Sequence, residues 1–197
     1  MKVIQGNRTG FLACFLLLAL VNCGGGGGGG DDSGGGGGVI ADFAANCLNT
    51  DPCSNNAVTS QEGSASSNVV EVQLWLNKLG TTIGVASLDV GFDPTVADYQ
   101  GYTEGNALGT SAQGTVFLIT EVGPGEVLVD IAPLGGKTPT SRAMMIKLTF
   151  KVLKTSGGSN FSFRLPDTLN GSALYRPDGS IILLTNNGWT GGLFSGI

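Results

Sequence analysis

The sequence predicts an all-β protein: an antiparallel β-sandwich of about nine short strands over residues 69–197. Three observations carry this prediction. Apolar and polar residues alternate with a period of two in several short segments, which is typical of strands with one buried face. Turn-forming glycine, Asn-Gly and Asp-Gly pairs separate these segments. No segment sustains a helical period, and 129 residues are enough for one core.

Residues 1–22 have the layout of a secretory signal peptide. Lys2 and Arg8 give a positive start, and residues 11–21 form an unbroken run of eleven apolar residues. Eleven helical residues rise only about 16 Å, much less than the ~30 Å hydrocarbon core of a bilayer. The sequence therefore predicts export rather than a permanent transmembrane span.

Residues 20–23 (Leu-Val-Asn-Cys) resemble the lipobox of bacterial lipoproteins, although Asn22 stands where that family prefers Gly, Ala or Ser. The resemblance implies that the Cys23 thiol carries acyl chains such as palmitate and begins the mature protein, anchored in the bacterial cell envelope. Gly24 after the cysteine resembles lipoproteins sent to the outer membrane or cell surface. The alternative is a secreted protein with an incidental cysteine.

Residues 23–68 are predicted to be a flexible tether. Seven glycines follow Cys23 directly, and five more occupy residues 34–38. Such a segment has few side chains to bury and cannot offset the entropy of ordering. Random-coil scaling gives residues 24–38 a reach of about 20 Å, which would hold the folded part clear of lipid headgroups.

Cys47 and Cys53 are predicted to form a small disulfide loop within this tether. They are separated by Leu-Asn-Thr-Asp-Pro, a turn-prone insert, and an exported protein meets oxidising conditions. A metal site is the competing interpretation. Two thiols without a histidine or a second cysteine pair make that site a poor one.

The predicted strands follow residue 69 in order. The clearest is at 69–77, where Val70, Val72, Leu74 and Leu76 alternate with polar residues and Trp75. The other alternating or apolar segments lie at 86–92, 115–120, 127–131, 144–152, 161–165, 173–175 and 180–185. Turn signals stand between them at Gly80, Gly101, 123–125, 135–136, 157–158, 170–171, 178–179 and 187–188.

Four segments resemble cohesin domains. Residues 88–96 (Leu-Asp-Val-Gly-Phe-Asp-Pro-Thr-Val) carry an aromatic-Asp-Pro turn followed by an aliphatic, and residues 114–119, 148–152 and 191–193 resemble later cohesin strands. The resemblance implies a nine-stranded jelly-roll sandwich related to cellulose-binding modules, and a dockerin-like protein as partner. Independently of the family, Asp93 can cap the turn through its own side chain while Pro94 presets the backbone.

Composition excludes several functions. The chain has no histidine, which removes Ser-His-Asp and Cys-His nucleophile systems and most zinc sites. Of 10 basic residues, Lys2 and Arg8 lie in the signal segment, so 8 remain against 15 acidic ones, a formal charge of −7. A negative charge disfavours nucleic-acid binding, which depends on basic residues that neutralise phosphates. No paired carboxylates or EF-hand spacing occur. We therefore expect a non-enzyme without metal or cofactor.

The candidate binding surface consists of aromatic residues. They are Trp75, Tyr99, Tyr102 and Trp189. An outward Trp or Tyr presents a large rigid surface to a sugar ring or a protein at low entropic cost. The alternative for each is a place in the core or over the ends of the sandwich.

Together these features predict a membrane-tethered, extracytoplasmic and non-catalytic binding module. Its ligand would be a protein partner or a polysaccharide, recognised through a surface of the sandwich. The alternative is a structural or assembly subunit of the cell envelope that pairs through exposed strand edges.

Overall fold

A computed structural model describes residues 39–46, 55–154, 157–165, 171–184 and 188–196. These residues form thirteen β-strands and one short 3-10 helix, Ser111–Gln113. The strands are β1 (Ala41–Ala45), β2 (Ala57–Ser66), β3 (Val69–Asn77), β4 (Val85–Gly91), β5 (Ala97–Glu104), β6 (Val116–Gly123), β7 (Glu126–Ala132), β8 (Ala143–Val152), β9 (Ser159–Phe163), β10 (Ala173–Tyr175), β11 (Ile181–Ile182), β12 (Trp189–Thr190) and β13 (Gly192–Gly196).

The strands form two sheets. Five of them make one sheet in the order β12-β2-β3-β8-β5. In the second sheet β4 is central and pairs with β7, β9 and β10. β6 extends this sheet beyond β7, while β13 links β9 to β1. Among the described pairs, β12 with β2 is parallel and the rest are antiparallel.

The core lies between the two sheets. The alternation predicted for 69–77 is confirmed, because the four apolar residues of β3 are all fully buried: Val70, Val72, Leu74 and Leu76. From the other sheet β4 contributes Leu88 and Val90, also fully buried. Each such side chain stabilises the fold by about 1.5–3 kcal/mol relative to an exposed one.

Phenylalanine rings join the two sheets at one end of the core. Phe150 of β8 lies 4.9 Å from the ring centroid of Phe194 in β13 and 6.0 Å from that of Phe161 in β9. Phe43 of β1 packs edge-on against the same pair, at 5.6 Å from Phe161 and 5.2 Å from Phe194. Such contacts add about 0.5–1.5 kcal/mol each beyond the area they bury.

The turn after β4 forms as its residues predict. The backbone N–H of Thr95 donates to Asp93 Oδ1 at 2.8 Å, which caps the turn. Hydrogen bonds from the backbone and the side chain of Thr95 lower the pKa of Asp93. The facing turn needs a glycine, because Gly125 has φ +79 and a Cβ there would stand 2.3 Å from the carbonyl oxygen of Phe92.

The sandwich is confirmed, but about nine strands was too few. The additional strands include several that are very short, since β11 and β12 have 2 residues each. A period of two cannot be recognised in so few residues.

The predicted start of the sandwich at residue 69 was wrong. β1 and β2 lie within residues 23–68, which were predicted to be tether, yet both belong to the sheets. The sequence of β2, Ala-Val-Thr-Ser-Gln-Glu-Gly-Ser-Ala-Ser, conceals this because its buried positions include Thr59, Ser60 and Gln61. Polar residues at buried positions erase the alternation on which the prediction depended.

Several predictions fall outside the described residues. The signal peptide, the anchor at Cys23, the glycine run and the disulfide between Cys47 and Cys53 all lie there. Within the described ranges, the chain forms no helix of the length and apolarity that crossing a membrane requires.

Candidate functional site

Trp75 lies on the outer face of the five-stranded sheet. It is placed there by β3, between Thr59 of β2 and Met144 of β8. Its indole Nε1 donates to Gln73 Oε1 at 3.1 Å, and the Arg142 guanidinium carbon lies 4.6 Å from the ring centroid. Trp75 therefore faces away from the core, but Arg142 covers its ring.

An open cleft of about 690 Å³ surrounds this pair. Its polar lining comes from β3, the end of β5, the loops beyond it and the segment before β8: Gln73, Glu104, Asn106, Thr110, Ser141 and Arg142. Glu104 Oε2 accepts from the backbone N–H of Ser111 at 2.9 Å. Burial lowers the pKa of Arg142. The cleft thus holds both a cation and a carboxylate.

Tyr99 and Tyr102 lie on the inner side of β5, at the open edge of the sandwich. Their register partners are the buried residues Phe150 and Leu148, with a bulge between them. Tyr99 is half-buried, with its ring centroid 5.8 Å from that of Phe150. Burial, followed by the nearby Tyr102 and Glu121, raises the pKa of Tyr99 to about 12. Tyr99 is therefore neutral at physiological pH. The neighbouring Tyr102 is more accessible, with 43% of its surface exposed.

Trp189 belongs to the periphery of the core. It sits in β12 beside Val58 of β2, and its ring centroid lies 5.5 Å from that of Phe163 in the other sheet. Trp189 is therefore held between the two sheets. This contact matches the alternative interpretation, in which an aromatic residue fills or covers the core.

The structure does not bring the four predicted aromatic residues onto one surface. Trp75 faces outward from the five-stranded sheet, whereas Tyr99, Tyr102 and Trp189 lie on its inner side. Alternation fixed the direction of Trp75 correctly. The bulge in β5 and the short strand β12 left no comparable pattern for the other three.

A second surface, which the sequence predictions did not include, lies on the outer face of β6. Val116, Leu118 and Val122 are 62%, 60% and 50% exposed. In register, Val116 and Leu118 stand opposite Ala132 and Asp130 of β7. We call Val116, Leu118 and Val122 the apolar strip.

The signal for this strip was present in the sequence. Residues 116–119, Val-Phe-Leu-Ile, are apolar at every position. In a strand, consecutive side chains point to opposite faces. Phe117 and Ile119 pack against the core, so the residues between them must present apolar side chains to the outside.

Charged residues continue the same outer face on β7 and β4. Arg164 Nη1 lies 2.8 Å from Glu126 Oε2, and its Nε lies 3.9 Å from Asp89 Oδ1. Asp89 stands opposite Leu128 in register and is only 4% exposed. Burial, and then the charge of Glu126, raises the pKa of Asp89, while Arg164 opposes this. We call Asp89, Glu126 and Arg164 the charged cluster.

Among the described residues, no three His, Cys, Asp or Glu side chains are grouped as metal ligands. Two features suited to recognising a ligand are the cleft at Trp75 and the outer face of β6, β7 and β4. They lie on different sheets.

Comparison with known proteins identifies a family and a fold. The family model described as Cohesin domain matches residues 55–169. No match was found among curated proteins.

Solved structures with similar folds include cohesins of two bacteria. The type II cohesin–X-dockerin complex from Acetivibrio cellulolyticus matches with 15% identity over 64% of this chain and 90% of that one, at a TM-score of 0.50. The type II cohesin dyad of the ScaA scaffoldin from the same organism matches with 16% identity over 64% of this chain and 44% of that one, at a TM-score of 0.51. CaCohA2 from Clostridium acetobutylicum matches with 15% identity over 64% of this chain and 83% of that one, at a TM-score of 0.50. At these identities the likeness concerns the fold.

Proposed function

The chain belongs to the cohesin domain family, and from that premise we propose that it is a non-catalytic binding module for a dockerin-like protein. The partner docks on the outer face of β6, β7 and β4. The observation that carries the proposal is the apolar strip, exposed beside the charged cluster. One structure of the same fold is a complex of a type II cohesin with an X-dockerin, which motivates the class of partner.

The apolar side chains on this face are unfavourably exposed to water when no partner is bound. A large exposed apolar side chain gains about 1.5–3 kcal/mol when it is fully removed from water. Three of them on one strand make an anchor for a partner, because binding energy concentrates in a few well-packed apolar residues. The charged cluster beside them can fix the orientation of the partner, since its charges can be matched by opposite charges on the partner.

Leu118→Asp tests the docking face. A buried carboxylate at the centre of the interface should weaken binding of a cognate dockerin by tenfold or more, because it is desolvated without a counter-charge. Affinities are measured by calorimetry against a panel of purified dockerin modules.

Leu183→Asp is the matched control, because Leu183 is 88% exposed but lies beyond β11, on the far side of β4. Its affinity should equal that of the wild type. Equal affinity for Leu118→Asp, or binding of no dockerin in the panel by the wild type, would contradict the proposal.

We also propose that the module is lipid-anchored at Cys23 in a bacterial cell envelope, outside the cytoplasm. Support comes from the apolar segment 11–21, the lipobox-like residues 20–23 and the glycines that follow. Cells fed radiolabelled palmitate should incorporate label into the wild type and not into Cys23→Ala. Label that persists in Cys23→Ala would rule out this anchor, and a wild type without label would indicate a secreted protein.

A further inference from the structure

The cleft at Trp75 contains a guanidinium with no anionic partner. Among the described residues, the ion pairs that form involve Lys147 and Arg164, and none involves Arg142. Arg142 is nevertheless half-buried, and its Nη2 is buried without a hydrogen-bond partner. A partly desolvated cation without a counter-charge is unfavourable, so an anion that enters the cleft is favoured.

Trp75 fixes where this charge is presented. The guanidinium stacks 4.6 Å from the ring centroid, a distance typical of a cation–π contact. Trp75 is itself held by its hydrogen bond to Gln73 at 3.1 Å. A guanidinium orients donors in a planar fork that matches a carboxylate, and the stack reduces the entropy lost on binding.

The rest of the lining is suited to hydroxyl groups. Asn106, Thr110 and Ser141 line the cleft with amide and hydroxyl side chains. Glu104 keeps Oε1 available, because its contact with Ser111 uses Oε2. Its negative charge also disfavours ligands that carry several anionic groups close together.

We propose that this cleft binds a carboxylate-bearing saccharide, a uronic acid residue whose carboxylate contacts Arg142 and whose ring hydroxyls contact Asn106, Thr110, Ser141 and Glu104. The volume of about 690 Å³ is within the usual range for small-ligand sites. The site is on the sheet opposite the docking face, so the module holds two ligands of different classes. A peptide carboxylate shares the anionic group but not the hydroxyls.

The test titrates the full-length protein with digalacturonic acid, followed by tryptophan fluorescence and calorimetry. Its methyl ester and a short peptide with a free C-terminal carboxylate are the two comparison ligands. Digalacturonic acid should bind at least tenfold more tightly than either, since esterification removes the charge-assisted contact and the peptide lacks the hydroxyls. Equal binding of the ester, or tighter binding of the peptide, would overturn the proposal.

Variants assign the site. Arg142→Gln should lose binding by tenfold or more, and Arg142→Lys should fall between it and the wild type because it keeps the charge without the fork. Lys151→Gln is the control, since Lys151 is an exposed cation on the same strand region outside the cleft. Undiminished binding by Arg142→Gln with native circular dichroism would refute the site. If Arg142→Gln does not fold, Arg142→Lys provides the test, and full affinity of that variant would refute a guanidinium contact with the carboxylate.

Substitutions in the saccharide site and in the docking face should affect only their own ligand. Leu118→Asp should bind digalacturonic acid as the wild type does, and Arg142→Gln should bind dockerin as the wild type does. A loss of saccharide binding in Leu118→Asp would place the sugar on the β6 face and overturn the assignment to the cleft.

Discussion

Asp89 shows how one residue of the docking face affects stability. Its carboxylate is 4% exposed, and its Oδ1 is buried without a hydrogen bond. The Nε of Arg164 at 3.9 Å is too far for a hydrogen bond. A buried carboxylate without adequate partners favours its protonated form, which is the reason that burial raises the pKa of Asp89.

The raised pKa of Asp89 predicts how stability depends on pH. Above the ordinary value of 3.8, the folded state holds the Asp89 proton more tightly than the unfolded state does. The contribution of Asp89 is therefore fully present below pH 3.8 and is lost as pH rises through the folded pKa. Asp89→Asn should remove this loss, so its free energy of unfolding relative to wild type should increase as pH rises from 3.8 through the folded pKa of Asp89. Urea unfolding at several pH values measures it.

Glu71→Gln is the control of opposite sign. Glu71 forms an ion pair with Lys147 at 2.6 Å, and hydrogen bonds from Lys147 and Ser64 lower its pKa. The contribution of Glu71 is present above its ordinary pKa and is lost as pH falls. Glu71→Gln should therefore lose stability mainly toward neutral pH. A difference between Asp89→Asn and wild type that stays constant with pH would show that Asp89 titrates normally.

Edge strands decide which kind of recognition the sandwich favours. β5 lies at one edge of the five-stranded sheet and β6 at one edge of the other sheet, and each contains a register shift, in β5 between Tyr99 and Gly101 and in β6 between Glu121 and Gly123. Such bulges interrupt the row of unpaired backbone groups that another strand would need. The alternative of an envelope assembly subunit depends on pairing at exposed strand edges, and the bulges disfavour such pairing at these two edges.

The elements that sequence could predict are those with a regular pattern. Buried and more exposed residues alternate over residues 69–76 of β3 and 146–152 of β8, and the sandwich followed from strands of this kind. β2 escaped prediction because a buried polar pair, Asn77 Nδ2 donating to Thr59 Oγ1 at 3.1 Å, occupies positions that usually hold apolar residues. The cleft escaped prediction too, because Glu104 and Arg142 come to line the same cleft only through the pairing of β5 with β8.

The whole molecule separates its two proposed sites by the thickness of the core. Trp75 faces outward from one sheet, and Leu118 faces outward from the other. A ligand on one face does not obstruct the other, so sugar and protein can bind together. β1 places residue 41 in the eight-stranded sheet through its pairing with β13, and the chain thus enters the sandwich within the sheet that carries the docking face.

The true start of the sandwich predicts the outcome of truncation. A chain that begins at residue 69 lacks β1 and β2, and so loses Phe43 from the contacts with Phe161 and Phe194 and leaves β3 without a strand on one side. Removing one buried phenylalanine alone costs about 3–5 kcal/mol, a large part of the stability of a typical domain. This chain should show no cooperative thermal transition, whereas one that begins at residue 39 should melt like the full-length protein. A cooperative transition in the shorter chain at the same temperature would mean that β1 and β2 contribute little to the fold.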